Sequence, residues 1–203
     1  MPPDVLEWED GCLRALSVED WALEQAMSRD PDVVKWTYYP VEMTEQESRH
    51  RIQDSLERTR RGWVRRYAIF NGEDDPVGTC GIGALDGDCP RIFYAVLPQG
   101  RSRGIATSAA RLLAEWALAS GYAIVSLETI DGNEASERVA SKAGFVPVER
   151  YQADHRGEAA WLTRWTMTPD ERARSCRRAV GSQFSAVTVA SPHEAIYRAE
   201  IRK

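Results

Sequence analysis

Residues 91–106 read Arg91-Ile92-Phe93-Tyr94-Ala95-Val96-Leu97-Pro98-Gln99-Gly100-Arg101-Ser102-Arg103-Gly104-Ile105-Ala106. A strand-like run ends between Val96 and Pro98 in a basic, glycine-containing loop, and that loop opens directly into a helix. From Ala106 onward, Ala109, Leu112, Leu113, Trp116 and Ala117 share one helical face. The free N–H groups of such a helix start, reinforced by the helix dipole, suit a phosphate or pyrophosphate. Arg101 and Arg103 make the loop basic, and a side chain at Gly104 would hold a ligand away from the backbone.

Working outward, the chain lays out a mixed sheet. Upstream, Cys12 to Leu16 reads as a first strand, and Ser17 with Asp20 as a helix start that Pro31 interrupts. Val33 to Tyr39 is an aromatic stretch, read as a core-packing loop or as the lining of a ligand cleft. Thr44, with Glu47 three residues on, predicts a capped helix reaching about Arg60. Trp63 to Phe70, Val77 to Ile82 and Arg91 to Leu97 then form an antiparallel meander broken by turn-rich segments. Downstream, the helix from Ala106 to Ser120 stops at Gly121, and Ala123 to Ile130 is a β-branched strand that must cross over to rejoin the sheet. A short helix, Glu134 to Ala143, sits between Asn133 and Gly144, and strands at Phe145 to Tyr151 and Ala159 to Met167 complete the pattern. The expected fold class is α+β, a mixed and mostly antiparallel central sheet with helices on both faces.

Length and composition bound the possibilities. With 203 residues, 43% hydrophobic and 28% charged, the chain suits one sizeable core, expected over residues 1–169, followed by a tail at 170–203. Phe184 to Ala190 of that tail is strand-like, which invites pairing and makes a homodimer arm one of its readings. No apolar run is long enough to span a bilayer, and the acidic start has no apolar core, so no membrane role and a cytoplasmic address are expected. Cysteines at 12, 80, 89 and 176 form no metal-binding pair, and the histidines at 50, 155 and 193 lack ligand spacing, so no metal is expected. A net charge of −5 argues against nucleic acid, and the basic cluster Arg58, Arg60, Arg61, Arg65 and Arg66 reads as a solvated helix end and loop.

Other phosphate-holding loops fail residue by residue. A triphosphate loop needs GxxxxGK followed by Ser or Thr, which is absent here, and Gly81-Ile82-Gly83 is followed by Asp86 rather than by a third glycine and a helix. What remains, Arg101-x-x-Gly104-x-Ala106 between a strand and a helix, resembles the acyl-CoA loop of the GNAT superfamily of N-acetyltransferases. A second block, Asn133-Glu134-Ala135-Ser136 running on to Gly144-Phe145, resembles the family's Asn-x-x-Ser helix. With Leu13-Arg14-Ala15-Leu16 near the start, it is similar to the Rim-type branch that includes ribosomal-protein N-terminal acetyltransferases. The likeness covers about Cys12 to Thr168 and leaves the tail unexplained.

That resemblance implies acetyl-CoA as co-substrate and a primary amine as acceptor, either a peptide N-terminus or a small amine such as an antibiotic. It implies that the amides of Arg103, Gly104, Ile105, Ala106 and Thr107 anchor the pyrophosphate, with charge from Arg101 and Arg103, and that Asn133 belongs to the cofactor site. Backbone groups at Val96 and Leu97, where family members splay two strands, are expected to pair with the pantetheine arm. Many members carry a tyrosine seven residues after the Asn, but that position is Ala140 here, so the acid passes to Ser136. Glu128 is the candidate base, with Glu42, Glu45 and Glu47 more remote. A non-catalytic acyl-CoA sensor is the alternative function, favoured by Ala140 and by the lack of an obvious base.

Overall fold

Turn and cap chemistry lay out the first half of the molecule, seen in a computed structural model that describes residues 1–72 and 75–171. Strands β1 (Val5–Trp8) and β2 (Gly11–Ala15) form a tight antiparallel hairpin. Three helices follow: α1 (Trp21–Arg29), α2 (Pro31–Trp36) and α3 (Glu45–Arg60). Asp30 and Pro31 explain the break between the first two. Pro31 cannot continue α1 but is pre-set for the first turn of a new helix, and the Asp30 side chain caps that helix by accepting from Val33 N at 2.8 Å. The segment read as a loop is therefore helical as far as Trp36. Thr44 and Glu47 cap α3 reciprocally, as the sequence predicts.

Strands β3 (Val64–Phe70), β4 (Gly78–Gly83) and β5 (Arg91–Val96) continue the meander. Then come α4 (Ile105–Ala119), β6 (Val125–Ile130), α5 (Glu134–Ala143), β7 (Val146–His155) and β8 (Glu158–Met167). The eight strands form one sheet in the order β1-β2-β3-β4-β5-β6-β8-β7, antiparallel at every step except β5–β6. The tail expected at 170–203, with its extra strands or dimer arm, lies from residue 172 onward outside the described residues.

Period-two alternation sends successive side chains to two separate cores. On one face Tyr67, Ile69, Cys80, Ile82, Ile92, Val125 and Leu127 pack under α4 and α5. On the other, Ala68 and Leu97 meet Leu23, Met27, Val33 and Ile52 from the first three helices. The second core holds a buried ionic cluster. Glu24, with no exposed surface, accepts from Arg66 at 2.5 Å, Arg51 at 2.9 Å and Tyr39 at 2.9 Å, and the Tyr39 hydroxyl also lies 2.8 Å from Thr79. Burial pushes the Glu24 carboxyl up, but Arg66 and Arg51 outweigh it and hold the group below the ordinary carboxylate range. Arg66, read as part of a solvated basic cluster, is thus an inward partner of a buried carboxylate. Its neighbour Arg61 keeps the expected place, stacked on Trp63 and paired with Glu57.

Candidate functional site

The two parallel strands part almost at once. β5 and β6 are registered only at Arg91↔Ser126, where Ser126 N donates to Pro90 O at 2.9 Å; beyond it the strands diverge toward their C-terminal ends. The antiparallel ladder decides which amides look into the gap. Leu97 N donates to Val77 O at 2.9 Å, away from the gap, so alternation turns the Tyr94 and Val96 amides toward it. Both Leu97 groups are spent, since its carbonyl accepts Gly100 N at 2.9 Å, and the Val96 carbonyl accepts Arg101 Nε at 3.0 Å. Of the Val96 and Leu97 groups expected to meet the pantetheine arm, the Val96 N–H remains.

At the mouth of the gap the loop turns through Ser102 at φ +62° and Gly104 at φ +78° into α4. No side chain caps that helix, so the Ile105, Ala106 and Thr107 amides of its first turn stand without a capping partner. A Cβ on Gly104 would meet nothing within 4 Å, so the glycine serves its left-handed backbone and the open approach above it, not packing. This cradle fits a diphosphate. Arg103 borders a cleft of about 590 Å³ with Trp8, Asn71, Ile105 and Ser108.

Arg101 stands elsewhere than expected. Its terminal nitrogens bind Asp30 at 2.5 Å and Asp32 at 2.8 Å, so its charge is committed to the start of α2 rather than to an incoming phosphate. Asn133 is similarly committed: its Oδ1 accepts Ser136 N at 3.1 Å and caps α5. That cap fixes Ser136 on the first turn of α5, where its Oγ lies 2.9 Å from the Tyr94 hydroxyl. Tyr94 was not singled out from the sequence, although strand alternation places it with Ile92 and Val96 on the face that packs toward α4 and α5.

Glu128 lies on the opposite face of the sheet, beside Arg164 in the β6–β8 register. One of its oxygens accepts from Tyr151 and, at 3.3 Å, from Arg164; the other meets Arg91 at 3.0 Å. Burial, and then the adjoining Glu128 charge, push the Tyr151 hydroxyl above its ordinary range, so it remains a donor at neutral pH. Ser136 and Glu128 therefore do not meet; they flank the parted strands from the two faces. Glu45 pairs with Arg49 and Glu47 is used in the α3 cap, so both carboxylates are already committed within α3.

A bridge spans the mouth. α2 is tied by Asp30 and Asp32 to the loop after β5, while Trp36 lies against Gly132 in the turn after β6, 3.9 Å from where a Cβ would stand. The tip of the β7–β8 hairpin grips the end of α2. Arg156 Nε donates to Val34 O at 2.9 Å and Thr37 O at 3.1 Å, and Tyr38 donates to Asp154 O at 3.0 Å. Val33 and Tyr39 of the aromatic stretch pack in the second core, while the carbonyls of Val34, Thr37 and Tyr39 receive the hairpin tip.

These features agree with known proteins. Residues 12–146 match the family model described as an acetyltransferase (GNAT) domain. Among solved structures, RimL, a ribosomal-protein α-N-acetyltransferase in complex with coenzyme A, superposes with a TM-score of 0.74 at 19% identity, covering 82% of this chain and 99% of its own. The microcin self-immunity acetyltransferase MccE, in complex with acetyl-CoA and AMP, gives 0.75 at 16% identity over 82% and 97%. A GNAT-family acetyltransferase from Bacillus anthracis gives 0.72 at 18% over 82% and 99%. No curated protein matches the chain. With the family model covering most of the described residues, and with parted parallel strands that lead into an uncapped helix start, the chain belongs to the GNAT family of acetyltransferases.

Proposed function

We propose that this protein is an acetyl-CoA-dependent N-acetyltransferase that moves the acetyl group to a primary amine by direct attack on the thioester. The observation that carries the proposal is the junction of β5 and α4, a strand gap with inward amides at Tyr94 and Val96 ending in the three uncapped amides of Ile105 to Thr107. Those three amides and the Gly104 turn hold the pyrophosphate, and the Val96 N–H meets the pantetheine arm. Arg103 adds charge at the loop, while Arg101 shapes the loop by tying it to α2. Asn133 serves the site through the cap that places Ser136.

Chemistry divides between the two faces. Ser136 donates toward the sulfur as negative charge grows on it, and Glu128 stands on the acceptor side. Three donors already occupy the Glu128 oxygens, so a proton leaving the amine travels through water or displaces one of them. An α-amino group, with an ordinary pKa of about 7.7–8.0, loses that proton far more readily than a lysine near 10.4. This favours a peptide N-terminus or a small amine of similar basicity as the acceptor. Orientation supplies much of the rate, on the order of 7–11 kcal/mol for well-placed reactants.

The working form is a cytoplasmic protein, and the ten-residue edge strand β7 supports a homodimer, which light scattering tests. To test the activity, acetyl-CoA is incubated with peptide N-termini, polyamines, aminoglycosides and amino acids while free thiol is followed. Thiol release with at least one amine is expected. Silence across the panel, together with a coenzyme A-dependent rise in melting temperature, would show a sensor instead.

A further inference from the structure

Tyr94 is a half-buried tyrosine on β5 whose hydroxyl the chemistry above leaves unused. Its oxygen lies 2.9 Å from Ser136 Oγ and 3.2 Å from the Ser136 carbonyl oxygen, so one phenolic hydrogen faces two acceptors on one residue. The two settings differ in consequence. When Tyr94 donates to the carbonyl, its own oxygen accepts the serine hydrogen and holds it away from any ligand. When it donates to Oγ, the serine hydrogen is released to point elsewhere, and the shorter of the two contacts is this one. Burial pushes the Tyr94 hydroxyl up to about 12 against a smaller opposing effect of Ser136, so the ring keeps its proton throughout the neutral range. The Asn133 cap on Ser136 N fixes the serine backbone, leaving Tyr94 to set the direction of its hydroxyl.

We propose that Tyr94 is a positioning residue for Ser136, aiming the serine hydroxyl at the coenzyme sulfur; this rests on the acetyl-transfer function above, in which Ser136 meets the departing thiolate. As the tetrahedral adduct collapses, the C–S bond breaks and its electron pair leaves on sulfur. Sulfur takes the Ser136 hydroxyl proton, and water carrying the proton lost by the amine restores the serine. Tyr94 neither gains nor loses a proton; it donates one hydrogen bond to Ser136 Oγ.

The test needs no acceptor. Coenzyme A and acetyl-CoA differ in that only the former carries a titrating thiol, so calorimetric affinities of both are measured from pH 6.5 to 9.5 for the wild type, Ser136→Ala, Tyr94→Phe and the double variant. A serine aimed at sulfur stabilises the bound thiolate and lowers its pKa below the ordinary thiol value. The affinity of coenzyme A relative to acetyl-CoA then rises with pH through that range, about tenfold for each unit of lowering. The wild type is expected to show this rise. Tyr94→Phe loses as much of it as Ser136→Ala, the double variant loses no more, and acetyl-CoA binding stays within about twofold throughout. A full rise in Tyr94→Phe with none in Ser136→Ala overturns the role of Tyr94 and leaves Ser136 in place. No rise in any protein overturns both roles while the cofactor site stands. Failure of either nucleotide to bind the wild type overturns the acetyl-CoA site itself, and the inference with it.

Discussion

Gly104 carries two requirements at one residue. Its backbone sits at φ +78°, and the space where a Cβ would stand is open. Gly104→Val would therefore cost strain rather than a clash inside the protein, about 1–3 kcal/mol. The larger effect falls on the ligand, because a branched side chain would stand over the amides of Ile105 to Thr107. The expected outcome is a folded variant, by circular dichroism and thermal melting, whose coenzyme A affinity by calorimetry drops at least tenfold. Unchanged affinity would place the cofactor elsewhere. Arg101 teaches the complementary lesson. A basic residue in an anion loop invites assignment to the anion, yet its partners Asp30 and Asp32 lie about 70 residues earlier in the chain. Only tertiary structure brings those charges together.

At the scale of elements, caps and alternation made most of the fold legible. Thr44 with Glu47, and Asn133 with Gly144, bound their helices as read, because each interaction is local to a few residues. Two elements were missed for identifiable reasons. Val5–Trp8 alternates as a strand should, but its flanking acidic residues obscured a run of four, and its partner is the next strand. In α2, Pro31 has two roles, ending α1 and starting the following helix, and the sequence pattern shows only the first. Strands β7 and β8 extend to His155 and Glu158, past the predicted limits, because their tip docks on α2. The loosening of that dock is open to test. Arg156→Ala removes the donors that grip the carbonyls of Val34, Thr37 and Tyr39, so amide exchange in residues 33–39 should quicken. The acceptor KM should rise while coenzyme A affinity holds, since the cofactor loop is bound to the other end of α2. Equal losses for both ligands would mean that α2 acts as one rigid body with the loop.

Across the whole molecule, the sheet carries a core on each face, and the face under α1 and α3 encloses charge. Glu24 ties α1 to α3 and β3 through Arg51 and Arg66, and reaches Thr79 on β4 by way of Tyr39. Because the folded carboxyl is held below its ordinary range, the unfolded chain binds its proton first as pH falls. The stabilisation is fully present above about pH 5, begins to fall as pH nears the unfolded value of about 4.3, and is lost as pH drops through the folded value. Urea midpoints should therefore hold steady from pH 7 to about pH 5 and then decline. Glu24→Gln, which leaves two buried or half-buried guanidinium groups uncompensated, should cost about 3–5 kcal/mol at neutral pH. A loss under about 1 kcal/mol would mean that water or another group compensates the arginines.

The gap between β5 and β6 is where the two halves of the sheet meet, and the proposed function places the cofactor there, between the Gly104 turn and Ser136. A crystal structure with coenzyme A bound tests this directly. The pyrophosphate is expected on the amides of Ile105, Ala106 and Thr107, the pantetheine arm on the Val96 N–H, and the sulfur within hydrogen-bonding reach of Ser136 Oγ. Coenzyme A bound outside the parted strands, with those amides untouched, would contradict it.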